Sequence, residues 1–305
     1  VASEGLTNTD ADSTGVTSPV VSGTGVSGTG VSGTAVTGTG APAAGRVAVV
    51  TGAARGIGAA TVRALTADGW SVLAVDLGHD DPAIPYSLGT AAELAAVAAS
   101  AGDGGRVAAR AADVRDAAEL AAAVAEAERR FGGVDAAIAC AGVIAGGVPQ
   151  WDLPAAREQA VLDIDLMGVL NLARAAVPAL LRRPQPRSGR FLAVASAAAS
   201  RGMPMLAAYC AAKAGVAGLI RALAVELGPT GVTANAVSPG STDTAMLTES
   251  ARLYGLGDSS SFGGQQPAGR LLTAEEIAAV LAFLASPASS GVTGAIVPVD
   301  GGLAL

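Results

Sequence analysis

The sequence predicts an α/β protein built on a doubly wound parallel seven-stranded sheet, and three observations carry that expectation. Seven apolar runs near 46–51, 71–76, 106–112, 134–140, 190–196, 232–238 and 295–299 read as buried strands, because a parallel strand covered on both faces is apolar throughout. Segments of helical periodicity separate them, so each strand returns to the sheet through a crossover. At the start of the pattern, RVAVVTGAARGIGAA reads as strand, glycine-rich turn and helix opening. Ligands of such sheets bind at the carboxyl ends of the strands.

Residues 1–45 stand apart. VSGTGVSGTGVSGTAVTGTG repeats a Val, Ser, Gly, Thr unit with no large apolar side chain to bury, which predicts a disordered low-complexity tail rather than a stacked β-solenoid. The tail holds Glu4, Asp10 and Asp12 and lacks a basic start before an apolar core, so it does not read as a targeting signal. The unbroken alternation from Arg46 onward predicts one domain over 46–305.

A net charge of -7 argues against nucleic acid as the main partner. Mean hydropathy is +0.47, but alanine and glycine supply much of it, and the apolar helices carry Lys213, Arg221 and Glu226, so none reads as a membrane span. Two cysteines make no disulfide framework and fit a reducing compartment; the expected location is the cytoplasm.

The chemistry concentrates in a few residues. Gly52, Gly56 and Gly58 would let the backbone approach a pyrophosphate at a helix N-terminus. Asp76 ends the second strand, eighteen residues beyond Gly58, where a carboxylate accepts bonds from ribose hydroxyls and repels a 2′-phosphate. Tyr209 and Lys213 in YCAAK lie one helical turn apart, and an ammonium beside a phenol favours phenolate. Such a pair alone is most often plain helix surface. Thirteen residues upstream, however, Ser196 ends the buried run RFLAVAS, placing a hydroxyl at the same sheet edge.

Together these motifs resemble the short-chain dehydrogenase/reductase family over roughly 46–305, with TGAARGIG, NAVSPGSTDTAM and PVDGG in the family's order. The resemblance implies a Rossmann-type fold and an oxidoreductase in which Ser196, Tyr209 and Lys213 are catalytic. It also implies a nucleotide held by Gly52, Arg55, Gly56, Ile57 and Gly58 of the turn, by Asp76, by Asp113 and Val114 at the adenine, and by Ala141 and Gly142 after the fourth strand. Tyr209, Lys213, Pro239, Gly240, Thr242 and Thr244 complete that set, Thr242 through its backbone. Asp76 favours NAD over NADP, with Arg55 a mild counter-signal. Two residues depart from the family pattern: Cys140 stands where an asparagine is usual and reads as a packing residue, and Asp165 in VLDIDLMGV replaces the asparagine of the family's proton relay. The long alanine-rich helices near 154–182 and 206–228 suit the family's packing into a homotetramer.

Between Asp76 and the third strand the chain is longer than is usual in the family. Pro82, Pro85 and Tyr86 suggest an ordered excursion and 93–101 a short helix, with His79 a solvated loop residue. This insertion, with CAGVIAGG and SPGSTDTAM, resembles the mycofactocin-associated subgroup that includes carveol dehydrogenase-like enzymes, implying tightly held NAD recycled by an external redox carrier. Met203, Met205, Leu206, Leu247, Leu253, Tyr254, Leu256 and Phe262 offer an apolar pocket suited to a hydrophobic secondary alcohol or ketone. Two other readings compete: an ordinary family member with freely exchanging NAD(P), and a non-catalytic nucleotide sensor, which would have no need of an intact Ser196, Tyr209 and Lys213. A dehalogenase on this fold would have lost the glycine turn and the lysine.

Overall fold

A computed structural model describes residues 45–100 and 105–305, so the tail expected over 1–45 lies, apart from Gly45, outside the described residues. Seven parallel strands are ordered β3-β2-β1-β4-β5-β6-β7: β1 Val47–Thr51, β2 Ser71–Asp76, β3 Val107–Ala111, β4 Ala136–Ala139, β5 Arg190–Val194, β6 Thr233–Pro239 and β7 Ile296–Val299. The chain runs outward from β1 through β2 to β3, then returns to place β4 on the other side of β1. That reversal opens a crevice beyond the carboxyl ends of β1 and β4.

Among the described residues, eight α-helices accompany the sheet: α1 Gly56–Ala67, α2 Ala91–Ala99, α3 Ala117–Phe131, α4 Ala155–Leu162, α5 Gly168–Arg182, α6 Ala207–Leu227, α7 Ala245–Leu253 and α8 Ala274–Ala285. Successive strand residues face opposite layers. Val47 and Val49 of β1 pack with Leu120 of α3, Leu172 of α5 and Val216 of α6, whereas Ala48 and Val50 pack with Val62 of α1 and Leu281 of α8. The stretches Ala155–Arg182 and Ala207–Thr230 are long and apolar enough to cross a membrane, but here Leu172, Ala176, Val216 and Ile220 are buried in the core on that face.

The strands fall where the apolar runs predict, and the short helix of the insertion forms two residues earlier than expected, with Thr90 and Glu93 making a reciprocal capping box. One long helix differs. Asp163–Met167 is a π-helical turn between α4 and α5, so the predicted helix near 154–182 is interrupted, and Asp165 within the turn is wholly buried.

Candidate active site

The glycine turn is fixed by close approach. Gly52 and Gly56 have φ of 66° and 55°, conformations that favour glycine. A Cβ on Gly58 would stand 2.0 Å from Gly52 O, and one on Gly52 2.6 Å from Ala141 Cα, so turn, helix and the loop after β4 press together at backbone distance. The N-terminus of α1 has no side-chain cap and no acidic residue in its first turn, leaving its amides for an external anion. The cradle fits a dinucleotide phosphate.

A groove of about 970 Å³ runs along the carboxyl edge, and every residue expected at the nucleotide or the catalytic centre lines it. At one end, Asp76 Oδ2 accepts from Ala54 N at 2.9 Å. Arg55 Nη2 donates to Ser87 O of the insertion at 2.7 Å. Asp113 is clamped by Arg115, which donates to its two carboxylate oxygens from Nε and Nη2; burial pushes the Asp113 carboxyl up, but these bonds outweigh it and hold the group below its usual range. Val114 is buried, and its carbonyl accepts from Asn171 Nδ2 at 3.0 Å. Across the groove, a Cβ on Gly56 would meet Thr244 Cγ2 at 3.4 Å. Thr244 Oγ1 donates to Thr242 O, and Thr242 Oγ1 to Gly240 O, so both side chains serve the local backbone.

At the other end, Ser196 follows β5 and its Oγ accepts from Ala198 N at 3.1 Å. Tyr209 and Lys213 of α6 are buried beneath it. Lys213 Nζ donates to Val194 O at 3.1 Å and lies 3.1 Å from Asp165 Oδ2. Lys213 pulls Tyr209 toward phenolate, as the sequence predicts, but it does not set the net direction. Burial raises the Tyr209 pKa; the Lys213 charge and the Ser196 hydroxyl pull it down, but the Asp165 charge adds to burial and the net direction is upward. The Lys213 ammonium is disfavoured by burial, yet Asp165 and then Tyr209 more than compensate, so it stays protonated. The Cys140 thiol is pushed up to about 12 by burial, as befits a packing residue.

The apolar end differs from the sequence expectation at two places. Met203, Leu206, Leu247, Tyr254, Leu256 and Phe262 line the groove, and the Tyr254 and Phe262 rings meet edge to face with centroids 6.1 Å apart. Met205 and Leu253 do not line it. Met205 is more than a third exposed at a left-handed φ of 58°, because its carbonyl is drawn inward to accept from Gly147 N. Leu253 instead covers Gly147.

The insertion also contributes residues not foreseen at the groove. Tyr86 Oη accepts from Ile144 N at 3.0 Å, and the buried Asp81 pairs with Arg115 at 2.7 Å. With Arg55 on Ser87, these bonds tie the insertion across the groove at three points. A lone tyrosine between prolines and a glycine was the signal for Tyr86; nothing local marked Asp81 or Arg115.

Comparison with known proteins agrees with this architecture. A family model described as Enoyl-(Acyl carrier protein) reductase matches residues 52–304. The chain is 40% identical over 265 residues to the short-chain reductase protein NovJ of Streptomyces niveus, covering 84% of this chain and 93% of that protein. It is 39% identical over 259 residues to a cis-4-hydroxycyclohexanecarboxylate dehydrogenase of Sinomonas cyclohexanicum, covering 84% and 96%. Among solved structures, carveol dehydrogenase from Mycobacterium avium in complex with NAD superposes with a TM-score of 0.81 at 32% identity, covering 86% of this chain and 98% of that one. Sequence likeness over nearly the whole described fold, joined to the glycine cradle and its groove, places the chain in the short-chain dehydrogenase/reductase family.

Proposed function

We propose that the protein interconverts a hydrophobic secondary alcohol and its ketone with NAD as hydride partner. The observation that carries this reading is the meeting of Ser196, Tyr209 and Lys213 where the groove turns from glycine-lined to apolar. The glycine turn, Asp76, Asp113, Val114, Ala141, Gly142 and the Pro239, Gly240, Thr242, Thr244 segment would hold the nucleotide, whose nicotinamide supplies the hydride acceptor or donor. Ser196 holds the substrate oxygen. Tyr209 exchanges a proton with that oxygen, as phenol toward a ketone and as phenolate toward an alcohol. Lys213 stands behind the tyrosine as a fixed cation. Asp76 supports NAD, and the bond from Arg55 Nη2 to Ser87 O, which draws the guanidinium toward the insertion, is consistent with it.

Relatives named for cyclohexanol carboxylates and a neighbour named for carveol support a cyclic secondary alcohol as substrate class. The test is oxidation of cis-4-hydroxycyclohexanecarboxylate and carveol by purified protein with NAD or NADP, followed by nicotinamide absorbance. Turnover of neither alcohol, and reduction of neither ketone, refutes the substrate class. In this reading α5 and α6 pack against other subunits in a homotetramer, which sedimentation would detect.

A second reading is favoured by the three ties that hold the insertion over the groove. NAD held beneath it would not exchange, and an external carrier of the mycofactocin type would remove the hydride. Mass spectrometry of small molecules released from denatured protein distinguishes the two: bound NAD after extensive dialysis favours the second, nucleotide-free protein that turns over with added NAD the first.

A further inference from the structure

Asp165 and Lys213 form an ion pair that the proposed chemistry leaves unused. The oxygen Oδ2 lies 3.1 Å from Lys213 Nζ, and the side chains are 0% and 4% exposed. The other oxygen, Oδ1, accepts from Val143 N at 2.8 Å, so the carboxylate is fixed on the loop after β4 as well as on α6. The π turn places Asp165 there. Gly142 leaves the space for the pair: a Cβ on it would stand 3.2 Å from Asp165 Oδ2 and 3.4 Å from Lys213 Nζ.

A carboxylate in contact with an ammonium changes what a third group feels. Tyr209, whose ring centroid is 5.5 Å from Lys213 Nζ, then senses a compensated pair instead of a bare cation, and in a dry site that difference is large. The other titratable groups facing the pair are Cys140 at the end of β4, Cys210 on α6 and Tyr86 of the insertion. Burial holds Cys140 and Tyr86 neutral; it pushes the Asp165 carboxyl up as well, against the pull of Lys213 and the Val143 amide, and the direct contact with Lys213 at 3.1 Å makes Asp165 the counter-charge among these groups. Stability does not explain the pair, since a buried ion pair gains little over an apolar substitute.

We propose that Asp165 is a positioning residue that anchors Lys213 and offsets its charge, so that Tyr209 keeps its proton at neutral pH and the site is set to donate that proton to a carbonyl. This rests on the reading of Tyr209 and Lys213 as the acid/base pair. An asparagine at 165 would keep the shape and the bond from Val143 but release the cation's field onto Tyr209.

The chain has three tyrosines, so ring-carbon labelling with ¹³C gives three resonances, and Tyr209→Phe assigns the one in question. Titration of the full-length protein should show Tyr209 as phenol up to and beyond the ordinary tyrosine value of 10.0. In Asp165→Asn its midpoint should fall by about one unit or more, roughly tenfold in proton affinity. Phenolate at neutral pH in the wild type overturns the proposal, as does a smaller shift in the variant. Should Asp165→Asn fail to fold, a wild-type Tyr209 midpoint below 10.0 still overturns the proposal, and Asp165→Ser provides the charge-free comparison. No substrate is needed, so a negative result here is separable from absence of alcohol oxidation, which bears on the activity itself. With a probe alcohol that turns over, the same variant should move the acid limb of kcat/KM to lower pH, a change that a purely structural role would not produce.

Discussion

The Lys213 ammonium stands 5.5 Å from the centre of the Tyr209 ring, one helical turn along α6. Tyr209→Phe keeps the ring, its packing and the ion pair behind it, and removes only the hydroxyl. Turnover of any accepted alcohol should fall by about a hundredfold to ten-thousandfold, the usual contribution of an acid/base group, with NAD affinity little changed. Steady-state kinetics beside calorimetric NAD titration check it. A variant retaining most wild-type turnover would remove Tyr209 from the chemistry.

The turn offers a sharper structural test. In Gly58→Ala the new methyl meets Gly52 O at 2.0 Å, and both sides of that clash are backbone, so no side chain can swing aside. Overpacking of this kind costs about 1–3 kcal/mol. The denaturant midpoint should drop accordingly, and nucleotide binding should weaken because the cradle must open. An unchanged midpoint would show that α1 approaches the turn less closely.

Asp76 has two tasks, which predicts a mixed outcome. Its Oδ2 holds the Ala54 amide, and a Cβ on Gly89 of the insertion would stand 3.2 Å from its Oδ1. Asp76→Ala should therefore lose about tenfold to a hundredfold in NAD affinity, as expected for a charged hydrogen bond of roughly 1.5–3 kcal/mol, while discrimination against NADP narrows. Titration of both nucleotides measures it. Tighter wild-type binding of NADP than NAD would reverse the assignment.

Much of this was legible because parallel strands announce themselves as apolar runs. FLAV and VAVVT mark β5 and β1 to within a residue or two, and the glycine spacing marks the turn between β1 and α1. The π turn was not legible, since five residues of slightly wider winding leave the apolar spacing of 154–182 intact. Nor was the net proton affinity of Tyr209. Local spacing reveals the lysine four residues on, but burial and Asp165, 44 positions upstream in the chain, decide the direction. The pairing of Asp81 with Arg115 is hidden for the same reason: each is an ordinary loop residue until the fold brings them together.

Cys140 gives a chemical check on the packing beside the site. Its thiol is pushed up to about 12 by burial, against a weaker pull from Thr61 and Lys213, so thiolate is scarce near neutrality. Of the two cysteines, a thiol reagent should therefore label at most one in the native chain and both after unfolding. Rapid native labelling of Cys140, located by peptide mapping, would show that the end of β4 is open.

The insertion gives the last test, because its hold on the groove depends on groups that can be deleted singly. Tyr86→Phe preserves the ring but leaves the Ile144 amide without its acceptor, a loss of about 1–3 kcal/mol where the group stays buried. Asp81→Asn removes the charge that binds Arg115 while Arg115 keeps Asp113. Both changes should loosen the strap without touching the turn, Asp76 or the catalytic side chains. Their effect should appear in dissociation far more than in association, since changes at one interface act mostly on the off-rate. NAD release measured by displacement should speed up about tenfold or more in the double variant, following from the loss of roughly 1.4 kcal/mol of holding energy. Equal release rates in wild type and double variant would mean that the strap braces the loop after β4 and does not hold the nucleotide, leaving exchange free and the second reading without support.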